Sequence, residues 1–202
     1  MGRNRENFNK LYKTASDQQG YFTAKQAKKA GYADNTHPFH VKAGNWMREH
    51  RGIYRLAKYP WTEHPDMALW ALWSHNRKGE PQGVYSHDTA LSLHEVSDLN
   101  PAKLHMTVPP GFRRNSQIPK ILVLHRDTLH PDDFKAMQGF RVTQPLRAIA
   151  ELLAEGTTSM DFIEQAVKEA AKRGLIYREK VRNAERIADD VKNQIEKFMG
   201  GR

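Results

Sequence analysis

Cysteine is absent from the whole 202-residue chain. That excludes disulfides and thiolate zinc fingers, and it fits a reducing compartment. Long apolar runs are missing too. The longest, Met67 to Trp73, falls far short of the ~20 residues needed to cross a bilayer. The N-terminus, MGRNRENFNK, has charges with no apolar stretch behind them, so no secretion signal is expected. Nor is there a phosphate-cradling glycine loop, a spaced His/Cys metal set or an activated nucleophile with a separated base. The expectation is a soluble, cytoplasmic binding protein without cofactor or metal, not an enzyme.

What the chain does have is positive charge, unevenly placed. The formal net charge is +9. Residues 1–59 hold 12 Lys/Arg against 4 Asp/Glu, whereas the remainder holds 20 against 19. Charge concentrated on one segment is the footprint of phosphate binding, whereas charge held only for solubility has no reason to be so unevenly distributed.

That segment contains GYFTAKQAKKAGYADNTHPFHVKAGNWMREHRGIYRL, residues 20–57. Thr23 to Gln26 forms a T-x-x-Q capping box, and Gly31 follows Lys28 and Lys29 as a helix stop. A second short helix is expected from about Asn35 to Gly44. Asn45 to Glu49 and Ile53 to Ala57 then alternate around Arg51-Gly52 as hairpin strands. Two short helices and a hairpin make a winged helix-turn-helix, whose second helix enters the DNA major groove. Residues 3–18 are expected to add a leading helix, and Tyr21-Phe22 a short strand completing the wing sheet.

The candidate DNA-binding residues are Asn35, Thr36, His37, His40 and Lys42 on the second helix, and Arg48, Arg51 and Arg55 on the hairpin. Asn, Thr and His donate and accept bonds at base edges, while arginines on a wing meet phosphates or enter the minor groove. Phe39 and Val41 are expected to face inward, and Trp46, Ile53 and Leu56 to fill the core. His37-x-x-His40 has no cysteine beside it and no nearby carboxylate except Asp34, so it is not taken as a metal site.

Lys58 to Pro65 carries two prolines and marks a boundary. The expected division is a DNA-binding domain over residues 1–59 and a small mixed α/β domain over 60–202, giving an α+β protein. In the second domain, Asp66 to His75 is expected as a helix and Ser86 as the cap of another. Ser86, His87 and Asp88 are consecutive, and side chains at adjacent helical positions point apart, so no catalytic relay is expected from them. Residues 104–109 and 120–126 are expected strands, the latter (KILVLHR) the best buried. Phe112-Arg113-Arg114 is either an anion contact or a solvated loop. His130 to Lys135 superficially resembles a nuclease P-D…D-x-K pattern, with Asp132, Asp133 and Lys135 as its members. Those two acids are consecutive rather than on neighbouring strands, which leaves a metal-dependent nuclease only as the alternative. Phe140 to Thr143 is a short strand, Pro145 opens a helix through Leu153, and Gly174 ends the next one.

The last stretch is periodic. Tyr177, Val181, Ala184, Ala188, Val191, Ile195 and Phe198 alternate by four and three, a heptad seam over a helical tail at 177–199. The tail either pairs between chains or lies back on its own domain. Two alanines in the seam and Ile187 off it favour the second, giving a monomer or weak dimer.

Five pieces in this order, GYFTAKQA at 20–27, RGIYRL at 51–56, SHDTAL at 86–91, LHMTVP at 104–109 and VTQPLRAI at 142–149, resemble the AbiEi family. Its members are antitoxins of bacterial abortive-infection (type IV) toxin–antitoxin systems. The resemblance runs from about residue 8 to about residue 180. It implies a winged-helix repressor acting on double-stranded promoter repeats, with a C-terminal domain required for antitoxicity. The implied functional partner is a nucleotidyltransferase-like toxin that is not held in a stable complex. Family members contact DNA through the second helix and wing, which here carry Asn35, Thr36, His37, His40, Lys42, Arg48, Arg51 and Arg55. Some relatives have a further nuclease-like domain, for which a chain ending at Arg202 is expected to leave no room. A stand-alone winged-helix regulator without a toxin is the remaining alternative.

Overall fold

The capping box at Thr23 forms as its spacing predicts. The Gln26 amide donates to Thr23 Oγ1 at 3.2 Å, and Gln26 Oε1 accepts the Thr23 amide at 2.8 Å. Around this start, a computed structural model describes residues 2–200 of a mixed α+β chain. Among them no helix is long and apolar enough to cross a membrane. The chain divides into two units: residues up to Gly83 with Ala136–Phe140, and Val84–Lys135 with the chain from Arg141 onward.

The first unit begins with α1 (Gly2–Ser16), β1 (Tyr21–Thr23) and α2 (Ala24–Lys29). A 3-10 turn, Asp34–Thr36, runs into α3 (His37–Lys42), followed by β2 (Trp46–His50), β3 (Ile53–Leu56) and α4 (Pro65–Trp73). The strands form an antiparallel sheet in the order β1-β3-β2. On the helix-bearing face, Leu11, Ala15, Phe22, Ala27, Trp46 and Leu56 make one core. The Trp46 ring meets Phe22 edge-on at 4.9 Å and Tyr32 at 5.1 Å. Gly20 turns the chain from α1 into β1 with φ +88, and the Tyr59 ring lies where a Cβ would project, 2.5 Å away.

The opposite sheet face is covered as well, by α4. Tyr21, Ile53 and Arg55 lie buried there, and the Trp70 ring of α4 meets His50 at 5.8 Å. Ala68, Leu69, Ala71, Leu72 and Trp73 are all buried. The boundary expected after residue 59 therefore gives way to one at Gly83, because α4 closes the back of the sheet. The prolines of Lys58–Pro65 mark a turn within the unit, not its end.

A five-stranded mixed sheet in the order β6-β5-β4-β8-β7 belongs to the second unit apart from the β7–β8 turn, Ala136–Phe140, which is counted with the first. Its strands are β4 (Val84–Tyr85), β5 (Leu104–Val108), β6 (Leu122–Arg126), β7 (Phe134–Met137) and β8 (Phe140–Thr143). Strands β5 and β6 are parallel, as are β4 and β8, and β4 is antiparallel to β5. Helices α5 (His87–Leu93), α6 (Pro145–Glu155) and α7 (Met160–Lys172) follow the expected starts. Strand β6 was expected to be the best buried. It is an edge strand, with only Leu122 buried, because its continuous apolar run has a neighbour on one side only.

The tail is not one helix. It forms α8 (Arg178–Arg182) and α9 (Asp189–Phe198), with a turn between them that places Ile187 in the interior. Asp189 and Asp190 sit in the first turn of α9, where acids favour a helix start. Val191 and Ile195 bury against α6 and α7 of the same chain, the packing that Ile187 off the seam favoured.

Candidate functional site

The α3 face and the β2–β3 hairpin carry the residues expected to bind DNA. His37, His40 and Val41 follow the i, i+3, i+4 spacing of one helix face, and this face turns inward. His37 is 3% exposed, with its ring 5.3 Å from Trp46 and 5.7 Å from Tyr54. His40 is half-buried and stacks on Trp46 at 4.6 Å. Burial, with the His37 ring next to it, holds the His40 imidazole below its usual range. His37 cannot reach a base edge from this position, so its expected contact is withdrawn. Phe39 falls on the opposite side of α3 and is 66% exposed, which reverses its expected inward placement.

Arg55 is also corrected. It is 2% exposed, donates to the carbonyls of Tyr59 and Pro60 at 2.9 Å each, and lies 4.7 Å from the Trp61 ring. In the sheet it is in register with Tyr21 and Met47, on the face covered by α4. Arg48 pairs with Tyr54 and so projects from the other face, the one bearing α3. Asn35, Lys42, Arg48 and Arg51 are exposed, and among the described residues no carboxylate pairs with Lys42, Arg48 or Arg51. Thr36 turns its hydroxyl back to the Ala33 carbonyl at 2.7 Å. A second cationic group, Lys10, Lys13 and Lys29, lines a groove between α1 and α2, where Lys10 is paired with Glu6 at 2.6 Å.

The second unit contains a cluster that sequence spacing did not reveal. His87 opens α5 with φ +52, a left-handed conformation that swings its ring back over Ser86. Consecutive side chains were expected to point apart, yet Ser86 Oγ lies 2.9 Å from His87 Nδ1. Ser86 does precede the helix, but its hydroxyl makes no capping bond and instead accepts from Thr107 at 2.8 Å. Strand β6 brings His125 alongside, stacked on His87 with ring centroids 3.6 Å apart. His125 Nε2 is 3.1 Å from Nδ1 of His105 on β5. From α6, Glu151 approaches His87 Nδ1 at 3.5 Å, and Glu155 approaches His87 Nε2 at 3.8 Å and His125 Nδ1 at 4.0 Å. His87, Thr107, His125, Glu151 and Glu155 line an open cleft of about 550 Å³.

Electrostatics in the cleft follow from burial. It pushes His87 down to about 3, with the His125 and His105 rings and Arg147 acting in the same direction. His125 is lowered mainly by burial, against the pull of Glu155. Both rings are therefore neutral at pH 7. Burial also raises Glu151, although Arg147 holds its other oxygen at 2.9 Å. Arg147 also bonds Asp127. A Ser–His–acid relay does not form here. Ser86 and Glu151 converge on the same ring nitrogen of His87, Glu155 on the other nitrogen is 3.8 Å away and beyond hydrogen-bond distance, and Ser86 has no exposed surface.

Of the nuclease-like residues, Asp133 is held by the His130 amide at 2.7 Å and by Arg186 at 3.0 Å. Asp132 and Lys135 are exposed. Asp133 thus closes a turn. The cleft residues come from segments far apart in the chain, with His87, His125 and Glu155 at least thirty positions apart. Their one local signal is three histidines, 87, 105 and 125, each placed at or beside a strand.

Comparison with known proteins gives a fold and little more. No family model matches the sequence, and no curated protein matches it. A crystal structure of the Rv2827c protein from Mycobacterium tuberculosis is similar, with a TM-score of 0.60 at 8% identity, over 96% of this chain and 77% of that one.

Proposed function

We propose that the chain binds double-stranded DNA through α3 and the β2–β3 hairpin, as the winged-helix part of a transcriptional repressor. The observation that carries this reading is the outward surface of that segment. Lys42, Arg48 and Arg51 are exposed cations without acidic partners among the described residues, and Asn35 of the preceding 3-10 turn and Phe39 of α3 are exposed as well. Three helices and a three-stranded antiparallel sheet in this order fit a winged helix-turn-helix, with α3 as its recognition helix. Arg48 lies on the same sheet face as α3, which supports its use as a wing residue in this reading. The reading uses Asn35, Lys42, Arg48 and Arg51 and drops His37 and Arg55.

The resemblance to AbiEi proteins supports a repressor that acts as antitoxin to a nucleotidyltransferase-like toxin. Binding to fragments of its own promoter, followed by fluorescence anisotropy at several salt concentrations, tests the DNA part. Three phosphates neutralised per protomer give a log–log salt slope of about −2.7. Replacing Arg48 and Arg51 together by alanine should lower affinity for all sequences and flatten the slope. Unchanged binding by that double variant would remove the reading. Co-expression with the product of a neighbouring toxin-like gene separates an antitoxin from a stand-alone regulator.

A further inference from the structure

We infer that His87, His125 and Glu155 form a site for one divalent transition-metal ion, zinc above all, at the wall of the second-unit cleft. This site is independent of the DNA-binding reading. One ligating atom from each of the three residues lies within 4.8 Å of the other two. In a tetrahedral zinc site with bonds of about 2.0–2.2 Å, neighbouring ligand atoms stand roughly 3.3–3.6 Å apart. The separations of 3.8 Å from His87 and 4.0 Å from His125 run to the two different oxygens of Glu155, so ligation through one oxygen needs closing by about half an ångström or more. Glu155 is the last residue of α6 and is partly exposed, so it is the member free to move.

The surroundings point the same way. A ligating histidine commonly has its second ring nitrogen held by a carboxylate, hydroxyl or other polar group, which fixes the ring and directs the first nitrogen at the metal. Here Nδ1 of His87 faces Ser86 Oγ and Glu151, leaving Nε2 towards Glu155. Nε2 of His125 is bonded to His105, leaving Nδ1 towards the same carboxylate. Both histidines thus have one nitrogen engaged and the other on the Glu155 side, and because their rings stack nearly parallel, one ring must tilt for both lone pairs to meet a single ion. Two imidazoles and one carboxylate favour zinc and its neighbours over magnesium or calcium, which take oxygen ligands. Three protein ligands beside an open cleft leave a coordination position for water or an exogenous ligand, the arrangement of non-structural sites.

The test uses the full chain, free of affinity tags and treated with chelator. Zinc chloride is titrated in competition with a chromophoric chelator, and cobalt(II) binding is followed by visible absorption. One zinc per chain is expected, with no competition from millimolar magnesium, and ligand-field bands of a four- or five-coordinate cobalt ion. His125→Ala and Glu155→Gln should each weaken zinc binding at least tenfold, while His40→Ala leaves it unchanged. Both altered positions are partly exposed, and circular dichroism of each variant establishes that it is folded. Absence of stoichiometric binding, or equal affinity in a folded His125→Ala/Glu155→Gln double variant, would overturn the site.

Discussion

The guanidinium of Arg55 lies over the Trp61 ring, 4.7 Å from its centre, while its Nη2 donates to two carbonyls of the following turn. An arginine expected on a DNA-facing wing is instead the pin that fastens the β3 exit to the back of the sheet. Arg55→Ala should therefore cost about 2–4 kcal/mol of stability, from lost charged hydrogen bonds and two abandoned carbonyls. Arg51→Ala, at the exposed hairpin tip, should leave the melting temperature unchanged and weaken DNA binding. Urea titration and anisotropy on the two variants check this. Equal stability loss in both would contradict the assignment.

Phe39 gives the complementary case. A side chain this exposed contributes little to the core, so Phe39→Ala should shift stability by no more than about 0.5 kcal/mol. If α3 docks in a groove, the same change should reduce affinity for promoter DNA. Thermal melting and binding measured on one preparation separate the two effects.

The second unit should be acid-labile. In the folded state His87 is held near 3, whereas an unfolded chain protonates its imidazole near 6.5. Between those values the unfolded state binds a proton that the folded state refuses. Stability therefore falls as pH drops below about 6.5 and levels off near 3, with a loss of roughly 3 kcal/mol at pH 4. His125 and His94, both lowered by burial, act in the same direction. Urea midpoints from pH 8 to 4, measured with chelator present, should show this decline, and His87→Gln should flatten it.

Gly20→Ala should be destabilising by about 2 kcal/mol or more. The residue has a left-handed backbone that costs an L side chain energy, and the new methyl would meet the Tyr59 ring. An unaltered melting temperature would show that neither constraint holds.

The short-range chemistry of the chain was legible in its sequence. Thr23 and Gln26 cap as their spacing predicts, and Trp46, Ile53 and Leu56 fill interiors. What needed three dimensions was which surface each element shows. Arg55 looked outward because nothing in the alternation of β3 announces that α4 covers its far side. Lys120 to Arg126 looked the best buried strand because an apolar run carries no mark of being at a sheet edge. The break before Asp189 did have a local sign, the paired acids that begin α9, but the heptad spacing masked it. His87, His125 and Glu155 escaped notice because distant segments meet only when β4, β5 and β6 align beside α6.

The layer formed by α4 also governs how the chain should be divided in the laboratory. A fragment stopped at residue 59 would leave Tyr21 and Ile53 wet, a sticky strip on the reverse of a small sheet, and should precipitate or self-associate. Extending it to Gly83 restores the cover, so a shorter piece that failed to bind DNA would be reporting its own aggregation rather than the chemistry of Lys42 or Arg48.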